Sequence, residues 1–140
     1  MALPKTMNPS TQSDRDAILA HVDSIFQAYF RGDRAAIRAT HTHDWRGFQI
    51  RSRSIVRGLD EYMRNADAVL QSIQGLRYEM LDADVQVYDN VAVVFYLARE
   101  WVRDAEGREK TILLRSCDVY RKDDGAWNQC GSNIYVLPDE

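Results

Sequence analysis

Asp118 is the residue whose setting most invites a chemical interpretation. It stands mid-run in Arg115-Ser116-Cys117-Asp118-Val119-Tyr120, a strand-forming stretch in which acids are disfavoured. A carboxyl placed there either serves a site or forms an ion pair with Arg99 or Arg115 across neighbouring strands. His41, His43 and Asp44 form a second group. A histidine beside an aspartate can act as a general base, because its pKa lies near neutrality. If the segment is extended, His41 and His43 offer two metal ligands on one side, but no third ligand is visible and no metal site is expected. Alternatively it is a solvated loop in which Asp44 hydrogen-bonds the backbone. Tyr29, Trp45, Tyr62, Phe95 and Trp101 could line a pocket for a flat apolar ligand, or simply fill the core. Arg99, Ser116 and Ser132 are the polar side chains expected beside them.

These groups need a scaffold, and the stretch from Glu109 to Leu137 supplies its clearest part. Two strand-forming arms flank Lys122-Asp123-Asp124-Gly125, which has the Asp and Gly of a tight turn. Strand alternation puts Leu114, Ser116 and Asp118 on one face with Cys130, Ser132 and Ile134. It places Trp127, Tyr135 and Val119 together on the other. Cys117 and Cys130 should lie opposite each other as reduced thiols. On the preceding strand Phe95, Leu97, Arg99 and Trp101 share one parity, and Val94, Tyr96, Ala98 and Glu100 the other.

The chain of 140 residues carries a net charge of −3, which fits one domain with an adequate core. That charge leaves no general attraction to nucleic acid or anionic membrane, although Arg46, Arg51, Arg53 and Arg57 form a local basic stretch. No apolar run is long enough to span a bilayer. Residues 1–12 are polar, contain two prolines and lack a signal peptide's apolar core, so a loose leader on a cytoplasmic protein is expected, with one domain over 13–140.

Ser13-Asp14-Arg15-Asp16 looks like a capping box that opens a helix. That helix carries Ile18, Val22, Ile25 and Tyr29 on one face, leaves His21 at the surface and ends at Gly32. Asp33 caps a second, short helix. Residues 48–56 alternate as one or two short edge strands. A third helix runs from Gly58 to about Ile73, followed by four strands: 76–88, 91–103, 110–121 and 126–137. Helices and strands are segregated, so the class is α+β.

This order resembles the nuclear-transport-factor-2-like superfamily, whose cystatin-like, cone-shaped fold is shared by SnoaL-like polyketide cyclases and ketosteroid isomerase. The matching features are the Gly32-Asp33 break, Asp44 after the second helix, Gly58-Leu59-Asp60-Glu61-Tyr62, and Arg115-Ser116-Cys117-Asp118-Val119-Tyr120 leading through Asp124-Gly125-Ala126-Trp127. The resemblance implies a curved antiparallel sheet wrapped around three helices, with a pocket between them. It also places Asp118 where ketosteroid isomerase has the acid that donates to the substrate oxyanion. Ile25 and Gln49 then stand where that enzyme has its oxyanion tyrosine and its base, and neither can replace them. Relatives often carry histidines after Asp-Gly-x-Trp, whereas this chain reads Asn128-Gln129-Cys130-Gly131-Ser132-Asn133.

Two functions remain open. One is a small-molecule pocket protein, an isomerase, cyclase or dehydratase needing no cofactor, with Asp118, His41 and His43 as catalytic candidates. The other is a non-catalytic ligand-binding or association domain. An apolar outer sheet face would make either a homodimer.

Overall fold

The computed structural model describes residues 9–138. Of the leader expected over 1–12, residues 1–8 lie outside the described residues. From Pro9 the chain is already helical. Helix α1 spans Pro9–Arg31, and proline is well suited to a first helical turn because its missing N–H would have no partner there. The Ser13 capping box is therefore not used. Asp14 instead accepts from the Trp127 indole at 3.0 Å and from Lys122 at 3.2 Å. Helix α1 ends at Gly32, and Asp33 caps α2 (Arg34–Ala39) by accepting from the Ala36 amide at 3.1 Å.

Strand β1 follows directly over His41–Phe48. Of the two readings of this segment, the extended one holds and the solvated loop does not. The chain then turns, and only Val56–Arg57 pairs again, as β2. Helix α3 spans Leu59–Ser72, with Leu59, Tyr62, Met63 and Ala66 buried at helical spacing. Strands β3 (Gln74–Tyr88), β4 (Val91–Arg103), β5 (Glu109–Asp123) and β6 (Ala126–Val136) make the antiparallel meander.

One six-stranded sheet results, in the order β2-β1-β6-β5-β4-β3. The β1–β6 contact is its single parallel pair. Two glycines permit it. A Cβ on Gly131 would lie 2.6 Å from the Arg46 carbonyl oxygen, and one on Gly47 would overlap the Ser132 backbone. Helix α1 crosses the concave face against β3 and β6, while α3 covers β1 and β2.

A bulge between Val119 and Tyr120 resets the last strand. Tyr120 pairs with Gln129 and Val119 with Gly131, so Cys130 has no opposite residue. Two expectations fall with it. Cys117 faces Asn133 rather than Cys130, although both cysteines are free thiols, as expected. Trp127 turns inward, 7% exposed, and packs with Ile18 and Val22 rather than joining Tyr135 outside. Among the described residues no helix is long and apolar enough to cross a membrane.

Because the Gly131 position is closed by backbone, Gly131→Ala must push β1 away from β6. Urea unfolding is expected to show a loss of about 1–3 kcal/mol. An unchanged midpoint would mean that the strands have slack.

Candidate functional site

The inward positions of β5 and β6 meet those of β1 around Asp118. Asp118 is 2% exposed. Its Oδ1 accepts from Ser116 Oγ at 2.7 Å and Ser132 Oγ at 2.8 Å, and its Oδ2 accepts from Gln129 Nε2 at 3.2 Å. The Gln129 Oε1 in turn accepts from Trp45 Nε1 at 3.0 Å. An indole N–H can only donate, so it fixes the amide's oxygen, and the amide's NH₂ is thereby aimed at Asp118. Arg99 and Arg115 lie on the opposite face of the sheet from Asp118. The ion pair considered for it is not formed.

Burial pushes the Asp118 carboxyl up to about 6, with the two serine hydroxyls holding it down. The carboxyl is therefore less acidic than an exposed aspartate. Tyr62, Tyr96 and Tyr120 have raised hydroxyl pKa values, first from burial, with the Asp118 charge adding to each. The tyrosines accordingly ring the carboxylate as neutral groups. The Tyr29 and Tyr62 hydroxyls meet at 2.7 Å.

His41 enters from the first residue of β1. Its ring lies against Tyr62 at 4.2 Å between centroids and near Trp45 at 6.5 Å. The Ile37 carbonyl sits 2.6 Å from Nδ1. A carbonyl only accepts, so Nδ1 carries the hydrogen and Nε2 is a bare lone pair. That Nε2 is buried without a partner. Burial lowers the His41 pKa to about 4, so the ring stays neutral.

Of the predicted site residues, Asp118, His41, Trp45, Tyr62, Ser116 and Ser132 share this interior, and Tyr29 borders it. The structure separates the others. His43 is exposed on β1, and Asp44 points outward to a two-pronged pair with Arg121 at 3.0 and 3.2 Å, which pulls its pKa down to about 2. Phe95, Arg99 and Trp101 sit on the outer face, with the Trp101 ring under the Arg77 guanidinium at 3.6 Å. The opposite parity of β4 faces in, bringing Tyr96 and Glu100 to the concave side. Glu100 has its pKa raised by burial to about 7. His21 is not free at the surface. Its Nδ1 lies 2.9 Å from the Tyr120 hydroxyl and its Nε2 3.3 Å from Asn128 Oδ1. Gln129 was legible only as an amide near the last turn; the bulge that turns it inward has no signature beyond Gly131. The Gln49 amide is tied to the Tyr62 carbonyl at 3.2 Å and to Asn65 at 2.8 Å.

Two grooves open on the surface. One, of about 370 Å³, lies at the wide end among Tyr29, Phe30, Leu70, Ile73, Gly75 and Arg103. The other, of about 440 Å³, runs over the outer face past Phe95, Leu97, Arg115, Cys117 and Tyr135. Neither is lined by Asp118.

A helix-lined, curved sheet with polar groups at its centre is the architecture of the nuclear-transport-factor-2-like proteins, also called cystatin-like. The SnoaL-like domain family matches residues 18–130, and the chain belongs to that family. No curated protein matches it. Among solved structures it is similar to a ketosteroid isomerase-like protein from Erwinia carotovora atroseptica, at 21% identity and TM-score 0.77, covering 89% of this chain and 96% of that one. A candidate calcium/calmodulin-dependent protein kinase II association domain from Xanthomonas campestris matches at 18% identity and TM-score 0.77, over 100% and 95% of the two chains. A candidate dehydratase of the same fold from Streptomyces avermitilis matches at 16% identity and TM-score 0.74, over 91% and 99%. Likeness at these identities establishes the fold alone.

Asp118 and Glu100 both have folded-state pKa values above those of the unfolded chain. The stability they lend is complete below about pH 4 and is lost as pH rises through 6 and 7. Calorimetry should therefore show a fall on the order of 3 kcal/mol for each between about pH 4 and 7. Glu100→Gln should remove the upper part of that fall. A variant profile as steep as the parent's would contradict the assignment.

Proposed function

We propose that the concave interior is a small-molecule site in which Asp118 accepts or transfers a proton without a cofactor, in a reaction of the isomerase, cyclase or dehydratase type. The observation that carries this is a buried carboxyl held by three neutral donors and no cation. A carboxylate has about four acceptor positions, so one remains for a substrate proton. Its ionised form at neutral pH suits a base better than the oxyanion-donating acid implied by the resemblance to ketosteroid isomerase. Ser116 and Ser132 would hold the carboxylate in place, and the neutral His41 offers a second acceptor. Similarity in fold to a ketosteroid isomerase-like protein and to a candidate dehydratase supports this class. Tyr29 both lines the wide-end groove and bonds Tyr62 inside, which supports that end as the route of entry.

The test is deuterium exchange beside the carbonyl of a β,γ-unsaturated cyclic ketone, followed by NMR. The parent protein should accelerate exchange, and Asp118→Asn should lose about 100-fold or more of that acceleration. His43→Ala, outside the interior, should lose none. Exchange unchanged by Asp118→Asn, or no acceleration by the parent, would overturn the catalytic reading.

A second reading rests on the outer face. Phe95 is 55% exposed and Tyr135 50%, with Leu97 beside Phe95 on β4 and Arg115 between Leu97 and Tyr135. An apolar face of this kind favours self-association, and one similar structure is a candidate association domain. Phe95→Glu is expected to convert a dimer to a monomer in analytical ultracentrifugation without unfolding it. A parent protein that sediments as a monomer at high concentration would remove this reading.

A further inference from the structure

We infer that the molecule taken by this interior is a hydrogen-bond donor that is neutral or positively charged, an amine or an alcohol, and not a carboxylate or phosphate. This rests on the small-molecule reading above and adds the class of ligand to it. The reasoning starts from which buried polar groups remain unsatisfied. A group buried without a partner costs free energy that a complementary ligand recovers. The clearest such group is His41 Nε2, on a side chain 5% exposed. Its ring hydrogen is already committed to the Ile37 carbonyl, so Nε2 can only accept. Asp118 has one acceptor position left after Ser116, Ser132 and Gln129. Glu100 presents a further carboxyl on the concave side of β4, three residues before Arg103 at the wide-end groove. These three groups all accept, Glu100 standing six residues along β4 from Val94, the register partner of Asp118, and so on the way in rather than beside the other two. The other buried atom without a partner among the described residues, Thr42 Oγ1, belongs to a hydroxyl that can accept as well.

The charges point the same way. Among the described residues no lysine or arginine is buried. Arg31 and Arg103 line the wide-end groove, but Arg31 is paired with Asp33 and Arg103 with Glu109. An anion passing inward would therefore leave these neutralised arginines, meet Glu100 and then approach Asp118, with no cation to offset its desolvation. A protonated amine meets attraction along that path. An alcohol pays no charge penalty, and its oxygen can accept the one hydroxyl proton that the Tyr29–Tyr62 pair leaves free. Burial keeps His41 neutral, so it does not turn into a cation that would welcome an anion.

Benzylamine, benzyl alcohol and benzoate share one ring and differ only in the polar group, so they separate the possibilities. The indole N–H resonance of Trp45 reports the interior directly, because that hydrogen is bonded to Gln129. At pH 8, benzylamine, with or without benzyl alcohol, is expected to shift this resonance at concentrations where benzoate leaves it unmoved. Glu100→Gln should weaken benzylamine about 5-fold or more and leave benzyl alcohol within 2-fold. Glu100 holds no structural hydrogen bond, so this variant is expected to fold even if changes at Asp118 do not. Benzoate shifting the resonance as strongly as benzylamine would overturn the ligand class and leave the small-molecule site standing. No shift with any of the three would overturn both. Unchanged benzylamine affinity in Glu100→Gln would remove Glu100 from the inference and, with it, the electrostatic half.

Discussion

The interior is oriented by one hydrogen bond that cannot be reversed, from the Trp45 indole to the Gln129 amide oxygen. An amide can usually turn over and exchange its ends. Here the indole has nothing to accept with, so turning Gln129 would set donor against donor in a buried site. The amide's NH₂ is thus committed to Asp118, and Gln129 stands opposite Tyr120 in the sheet. Tyr120 can then pass its own hydrogen to His21, whose second nitrogen bonds Asn128. A single donor on β1 fixes the direction of the bonds that run from Trp45 through Gln129 to Asp118 in the middle of β5.

That network also joins the two halves of the core. One apolar cluster lies between α1 and the meander, with Ile18, Val22, Phe26 and Trp127. The other lies among α2, α3, β1 and β2, with Ile37, Trp45, Tyr62 and Met63. Tyr120 belongs to the first and Trp45 to the second, and Gln129 bridges them. The bridge requires β1 to run close beside β6, which Gly47 and Gly131 permit, and it requires the bulge that turns Gln129 inward. Apolar packing alone would hold each half. The polar seam sets how they meet, a role for which buried polar groups are suited because a mispaired one is costly.

The fold was legible because it rests on local patterns. Gly32-Asp33 ends one helix and caps the next as expected, and the turns at Asp89-Asn90 and Asp124-Gly125 separate strands close to where alternation put them. Asp118 faces inward for the reason the sequence offered, in step with Leu114 and Ser116. The failures have a different origin. Trp127 and Tyr135 share a parity but not a face, because a bulge between them inserts one residue, and no local residue pattern announces it. On β4 both parities are apolar enough to face a core. Phe95, Leu97 and Trp101 are larger than Val94, Tyr96 and Ala98 taken together would suggest for an inner face, yet the inner face takes the smaller set because α1 lies across it. That choice is made by packing at a distance, which alternation does not encode. His41 was legible as a candidate base but not as a strand residue, since the parallel pairing that makes 41–48 a strand depends on β6, far along the chain.

The electrostatic cost of this interior bears on why it exists. Three neutral donors hold a carboxylate less well than one guanidinium would, and burial still raises its pKa. Hydrophobic residues of similar volume in place of such a group commonly leave a protein equally or more stable. A chain shaped only for stability would have little reason to place a carboxylate there with an acceptor position to spare, and a histidine lone pair nearby without a donor. Both deficits have the same sign, and both sit where α1, α3 and the sheet converge. Arginines are plentiful in this chain, but they stay on the outer face, at the rims and on the helices' exposed sides. With the cations outside and the unsatisfied acceptors inside, the interior is left short of hydrogen-bond donors, and a donor arriving from solution is what would bring it to balance.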